Sequence, residues 1–157
     1  MLQLTNLILE TFRLNGELQT AGDRLVADLS LTSARWQVLG AIGMASTLLP
    51  VARIARNMGL GRQSVQRLVS ELAWQDVVGF APNPHHQRGR LVVLTAKGKA
   101  VLAVAMQRQG PWVDALAQDL AARDIQTALR VLRTLHDRLR LQNDLQAKET
   151  GHVEELI

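Results

Sequence analysis

Two apolar stripes separated by a glycine constrain the fold of this chain more than any other feature of its sequence. Each stripe repeats at the i, i+3, i+4, i+7 spacing that places four side chains on one face of a helix. The stripes are Val51, Ile54, Ala55 and Met58, followed by Val65, Leu68, Val69 and Leu72. Gly59 lies between them and can take the left-handed conformation that ends a helix. The pattern predicts two short helices joined by a tight turn, with Pro50 in the first helical turn and Leu60 packed into the corner.

The sequence after Trp74 changes from a helical to a strand pattern. Val77–Phe80 and Leu91–Leu94 are expected to form short strands, and the segment between them is rich in turn-forming residues. Two strands joined by a polar loop make a hairpin. A hairpin that directly follows a helix-turn-helix indicates a winged helix-turn-helix.

Longer helices are expected on both sides of this centre. The first covers residues 4–29, and the next begins at Thr32 or Ser33 and ends near Gly43. After the hairpin, Thr95 is expected to cap a helix that Gly110–Pro111 breaks or kinks. A final helix carries a leucine-rich stripe over residues 125–139. The fold class is therefore mainly α with a small β-hairpin wing.

The positive charge is concentrated in the middle of the 157-residue chain. Residues 51–100 contain eight basic and two acidic residues, a net charge of +6, whereas the other ten basic and twelve acidic residues sum to −2. Such a local excess favours an anionic partner. The absence of cysteine excludes disulfides, thiolate catalysis and cysteine-based zinc sites. No signal peptide or membrane-spanning stretch is recognisable, so a cytoplasmic location is expected.

The second of the two short helices carries the residues suited to reading DNA. With Leu68 facing the core, the opposite side presents Gln63, Gln66 and Ser70, and Arg62 and Arg67 flank that line. Arginine can bond bidentately to guanine and glutamine to adenine in the major groove. The adjacent Ser64 is expected nearer the core side, bonding to backbone or phosphate. The alternative interpretation is an ordinary solvated helix face.

The hairpin loop adds two further arginines, Arg88 and Arg90. Their spacing places them on the same side of a strand, from which an arginine can enter the minor groove; the alternative is a solubilising charge. His85–His86 is not interpreted as a metal site, because the other histidines lie in distant segments. No phosphate-binding loop, nucleophile motif or paired-carboxylate site is recognisable, so we expect neither catalysis nor a cofactor.

Taken in order, these segments resemble a known family of regulators. The stretch from Leu31 to Leu102 contains LTSARWQVLGAI, RQSVQRLV, the loop NPHHQRGR and the exit VVLTAKGK, and it resembles the MarR family. The resemblance implies a homodimer with interlocked N- and C-terminal helices that binds a pseudo-palindromic operator. It also implies a repressor that a small, often aromatic, ligand releases from DNA.

The same resemblance assigns DNA contacts to individual positions. These are Arg62, Gln63, Ser64, Gln66, Arg67 and Arg88. The family usually has an aspartate two residues before its wing arginine, and His86 stands there instead, so a carboxylate that would brace Arg88 is missing. Trp36 and Phe12 are candidates to line a ligand pocket, with ordinary core packing as the alternative.

We therefore expect a single MarR-like domain over residues 1–157, with dimerisation helices at 1–30 and 110–147 and a winged helix-turn-helix at 31–100. The expected function is sequence-specific regulation of transcription on double-stranded DNA, with no membrane partner. Two alternatives remain, a winged-helix protein-interaction module without DNA binding and a small enzyme acting on aromatic compounds. The salt dependence of DNA binding distinguishes the first of these from a regulator.

Overall fold

A computed structural model describes residues 2–84 and 89–154, with side chains described as far as residue 146. The helices are α1 (Leu2–Val26), α2 (Ser33–Gly43), α3 (Val51–Met58), α4 (Arg62–Trp74), α5 (Ala96–Leu116) and α6 (Ala122–Glu154). The strands are β1 (Leu49–Pro50), β2 (Val78–Ala81) and β3 (Leu91–Leu94). The chain divides into two compact units, Met1–Val113 and Asp114–Ile157. None of the described helices combines the length and hydropathy that crossing a bilayer requires.

The predicted hairpin forms, but the sheet contains a third strand. β2 and β3 pair antiparallel, and β1 pairs antiparallel with the other edge of β3, giving the order β1-β3-β2. β1 was not predicted, because a two-residue strand is too short to show an alternating pattern. Pro50 belongs to β1 and is the N-cap residue of α3. It therefore lies one residue before the first helical turn, where it was predicted.

The core of the first unit is built from the two predicted stripes. Ile54, Val65, Val69 and Leu72 are completely buried, together with Val38 and Leu39 of α2 and Val92 of β3. Leu60, expected in the corner of the helix-turn-helix, is 45% exposed. Its backbone N–H bonds to the carbonyl oxygen of Ala55 at 3.0 Å, so the turn is closed by the backbone and the side chain faces outward.

Helix ends follow the capping residues that the sequence suggested. Thr32 caps α2 by accepting a bond from the N–H of Arg35, and the Asp23 carboxylate of α1 accepts the N–H of Ser33 at 2.6 Å. Gly59 ends α3 with a φ of 66°. Thr95 accepts the N–H of Gly98 at 3.0 Å and so caps α5.

The sequence predicts that Gly110–Pro111 breaks or kinks the helix after the hairpin, and of these two outcomes the break does not occur. The helix continues to Leu116. A proline removes the hydrogen bond to the carbonyl four residues earlier, here that of Gln107. Gln107 is exposed, so water can satisfy that carbonyl and the cost of the interruption is small.

Candidate nucleic-acid interface

The predicted polar face of α4 lies open to solvent. Its buried side consists of Val65, Val69 and Leu72, with Leu68 half-buried, which fixes the orientation of the helix. The side chains on the other side are all exposed, and we call them the α4 face: Arg62, Gln63, Ser64, Gln66, Arg67 and Ser70. Ser64, which was expected nearer the core side, is exposed as well. Gly61 caps the helix without a side-chain bond, so the first-turn N–H groups receive no side-chain acceptor from their cap.

Four arginines around α4 have no ion-pair partner within the part of the chain that the structure describes. Arg53 and Arg56 of α3 and Arg62 and Arg67 of α4 are exposed, and none of them makes an ion pair with any residue that the structure describes. Glu71 is the first acidic residue along α4, and Arg35 of α2 holds its carboxylate at 2.9 Å. The nearest negative charge on the helix is therefore neutralised, which leaves a basic surface.

The base of the wing is held by specific contacts. The side-chain amide of Asn83 donates to the carbonyl oxygen of Gly89 at 2.8 Å, which closes the loop. Arg90 donates from Nη2 to the carbonyl oxygen of Phe80 at 3.4 Å, and its guanidinium carbon lies 4.9 Å from the centre of the Phe80 ring. This cation–π contact restrains the Arg90 guanidinium at the foot of the wing. Arg88, His85 and His86 lie outside the described residues, so the prediction that Arg88 and Arg90 share one side stays a prediction.

The wing and α4 enclose a cleft of about 510 Å³, which we call the wing cleft. Arg62 and Gln66 line it from α4, and Arg90 lines it from the wing. Val51 and Ala52, at the positive N-terminal end of α3, form another part of its wall. Two guanidinium groups, an amide and a helix N-terminus make this cleft suited to a phosphate backbone. The contact between Arg90 and Phe80 was not predicted; in the antiparallel register Phe80 lies opposite Val92, so Arg90 is its diagonal neighbour, two positions along β3's side of the hairpin.

A second, more apolar cavity of about 610 Å³ lies beside α2, and we call it the α2 cavity. Trp36 lines it, as the sequence analysis suggested, and it also belongs to the core at 8% exposure. Trp112 and three methionines also belong to its apolar wall, which the sequence pattern did not reveal. Phe12 does not line this cavity; it is 71% exposed on α1. Among the described side chains, no group of three or more acidic residues or histidines could hold a metal ion.

Comparison with known proteins relates the chain to a protein family. A profile described as the MarR family matches residues 28–89. An uncharacterized protein of Mycobacterium tuberculosis is 33% identical over 106 residues, which cover 68% of this chain and 73% of that protein. The transcriptional activatory protein BadR of Rhodopseudomonas palustris is 27% identical over 137 residues, covering 85% of this chain and 78% of BadR.

A solved structure with the same architecture contains DNA. It is a mutant MarR from E. coli in complex with operator DNA, 26% identical, with a TM-score of 0.67 over 84% of this chain and 97% of that one. Its fold and the profile match agree with the winged helix described above. The chain therefore belongs to the MarR family, whose members are transcription regulators rather than enzymes.

Proposed function

We propose that the chain is a sequence-specific, homodimeric repressor that binds a pseudo-palindromic operator and releases it when a small ligand binds. The observation that carries the proposal is the α4 face, in which the arginine, glutamine and serine side chains are all exposed. The first acidic residue of the helix, Glu71, is neutralised by its ion pair with Arg35. Arginine and glutamine are the side chains that read guanine and adenine edges bidentately. α4 would enter the major groove, and the wing cleft would hold the flanking backbone.

The apolar surface of the outer helices supports a dimer. On α1, Leu4, Leu7, Ile8 and Phe12 are each at least 39% exposed. On α6, every described side chain is exposed except the half-buried Leu135, although the helix carries an apolar stripe. Contiguous exposed apolar surface of this kind marks an interaction site. A second copy of the chain is the partner that MarR-family membership favours, and it would bring two α4 helices to successive half-sites about 10 base pairs apart.

The position of α2 supports a ligand-controlled release. Trp36 and Gln37 of α2 line the α2 cavity, and the neighbouring Arg35 bonds to Glu71 of α4 through both Nε and Nη2 at 2.9 Å. One helix thus contacts both the cavity and the helix that would read DNA. A ligand that prefers a shifted position of α2 would change the position of α4, and binding of ligand and operator would then oppose each other.

The first experiment selects binding sites from a random duplex library with the purified protein. We expect a palindrome to be enriched, with affinity that falls steeply with salt because phosphate contacts release counterions. Arg67→Ala is expected to weaken operator binding by about 1–3 kcal/mol and to relax the preference at one base position. Arg13→Ala is the matched control, because Arg13 is an exposed arginine of α1 that pairs with Glu10.

The possible outcomes separate the proposal from its alternatives. Equal losses on operator and random DNA would make Arg67 a phosphate contact rather than a base reader. No enrichment and no salt-sensitive binding would favour a winged-helix protein-interaction module instead. A promoter carrying the selected site in front of a reporter gene then tests the direction of control, since BadR is named as an activator; increased reporter output on expression of the protein would contradict repression.

A further inference from the structure

We infer that the α2 cavity takes an uncharged aromatic molecule and discriminates against aromatic carboxylates. The inference rests on the proposed release of DNA by a ligand and specifies which chemical class that ligand belongs to. Two observations support it. None of the described residues that line the cavity is charged. The charged groups of the neighbouring Arg35 and Arg108 form contacts with partners outside the lining.

The apolar wall is suited to a flat, polarizable molecule. Trp36 and Trp112 supply two indole rings, and Met44, Met58 and Met106 supply thioethers that adapt to irregular shapes and contact aromatic rings favourably. A cavity of about 610 Å³ is within the usual size of small-molecule sites.

The polar groups of the cavity are neutral. They are Ser33, Gln37 and Gln109. The Gln37 amide donates to Ser33 Oγ at 3.3 Å, and the two glutamines offer both donors and acceptors. A phenol or carboxamide can pair with such groups in either direction. A carboxylate needs a cation or several donors when it leaves water, and otherwise its desolvation makes binding unfavourable.

The two cations that directly adjoin lining residues in sequence, Arg35 and Arg108, are engaged by other partners, whereas Arg56, two residues from Met58, is exposed and does not line the cavity. Arg35 bonds to Glu71 at 2.9 Å. Arg108, which precedes Gln109, bonds to Asp28 through Nη2 at 2.7 Å and to the carbonyl oxygen of Leu25 at 3.0 Å. The Asp23 carboxylate accepts the backbone N–H of Ser33 at 2.6 Å, so the nearby full charge on that side is negative and repels an anion. No described lining residue is acidic either, and the Asp23 carboxylate is already engaged by the Ser33 N–H, so an ammonium ligand finds no counter-ion in the wall of the cavity.

The tryptophans provide a direct readout. The chain has three tryptophans and no tyrosine. Trp74 is 88% exposed and lies outside the α2 cavity, so Trp74→Phe leaves a full-length protein whose two remaining tryptophans both line the cavity. Three probes of matched shape then test the charge preference by fluorescence, namely 3-phenylpropanamide, 3-phenylpropanoate and 3-phenylpropylammonium.

The amide is expected to change the fluorescence saturably, with a Kd at least about tenfold lower than that of either charged probe. It is also expected to weaken operator binding by the same protein. Carboxylate or ammonium binding as tight as that of the amide would overturn the inference, and so would the absence of any saturable change. Operator binding measured without probes separates these results from failure of the proposed function, which would appear as no operator binding at all.

A designed reversal completes the test. Gln109→Arg places a cation in the cavity wall and is expected to improve carboxylate binding at least about tenfold relative to the amide. If that variant does not give the circular dichroism of the parent protein, Met44→Arg offers the same test at a side chain that is 81% exposed. A folded variant whose preference among the probes is unchanged would contradict the assignment of the site.

Discussion

Replacing Gly98 with alanine is expected to destabilise the winged helix, because the new side chain would collide with backbone. A Cβ at position 98 would lie 1.9 Å from the carbonyl oxygen of Val77 and 3.0 Å from its carbonyl carbon. Real Cβ atoms essentially never approach other atoms below 3.0 Å, so the start of α5 and the backbone of Val77, directly before β2, must separate by more than about 1 Å. Neither atom belongs to a flexible side chain that could turn away.

The contacts around Gly98 make this separation costly. The carbonyl oxygen of Val77 accepts the backbone N–H of Thr95 at 3.2 Å, and Thr95 Oγ1 donates to the carbonyl oxygen of Asp76 at 2.7 Å. Overpacking of a rigid site costs up to about 3 kcal/mol, and a lost cap costs about 1 kcal/mol. Alanine regains about 1 kcal/mol over glycine in a helix, which leaves a net loss of about 3 kcal/mol.

Thermal unfolding measures this loss directly. For a chain of this size, about 3 kcal/mol corresponds to a Tm lower by about 6–12 °C. Gly110→Ala is the matched control in the same helix, because nothing lies within 4 Å of its added Cβ; the strain of an alanine before Pro111 offsets its helix-forming advantage, so its Tm is expected to stay near the parent's. Both variants and the parent are compared at one protein concentration, since a dimer's Tm depends on concentration. A Gly98→Ala protein that unfolds at the parent's Tm would refute the steric argument.

Two further predictions concern ion pairs. The hydrogen bond from Arg108 holds the pKa of Asp28 below its ordinary value of 3.8, so the pair stabilises the fold above that pH and loses its effect as pH falls through the lowered pKa. Asp28→Asn is accordingly expected to lower Tm at pH 7, with a difference from the parent that shrinks below about pH 4; a constant difference would contradict the pair's role. The double variant Arg35→Met, Glu71→Gln removes the link between α2 and α4 without leaving an unpaired charge. We expect it to bind the amide probe within about twofold of the parent while the probe's effect on operator affinity falls at least about threefold, and unchanged coupling would contradict transmission through α2.

The sequence predicted the central elements because their local signals and their tertiary environment agree. The stripe from Val65 to Leu72 faces the core as its spacing requires, and Gly59 and Thr95 act at the positions where their backbone and side-chain chemistry favours a helix end. β3 forms at Leu91–Leu94 as predicted. In each case the preference of one short segment agrees with the environment that the rest of the fold provides.

The features that the sequence did not reveal depend on residues far apart in the chain. β1 exists because Leu49 pairs with Val92, and the α2 cavity combines side chains from Leu18 to Trp112. The continuation of α5 through Pro111 depends on the exposure of Gln107, which periodicity does not specify. The division of residues 1–157 into dimerisation and DNA-binding segments, and the roles of the individual site residues, stay predictions.

The arginines of the chain illustrate what the structure adds to the charge pattern. Arg35 forms an ion pair with Glu71, and Arg108 forms one with Asp28. Because each guanidinium charge is balanced by a carboxylate of the same chain, these two arginines add little to the electrostatic field outside the protein. Arg62 and Arg67 have no such partner among the described residues and keep their full charge at the surface. In the sequence all four look alike. Because the pair with Arg35 also neutralises the first acid of α4, it removes the repulsion that an approaching anion would meet there, and the positive charge of Arg62 and Arg67 is not offset at that surface.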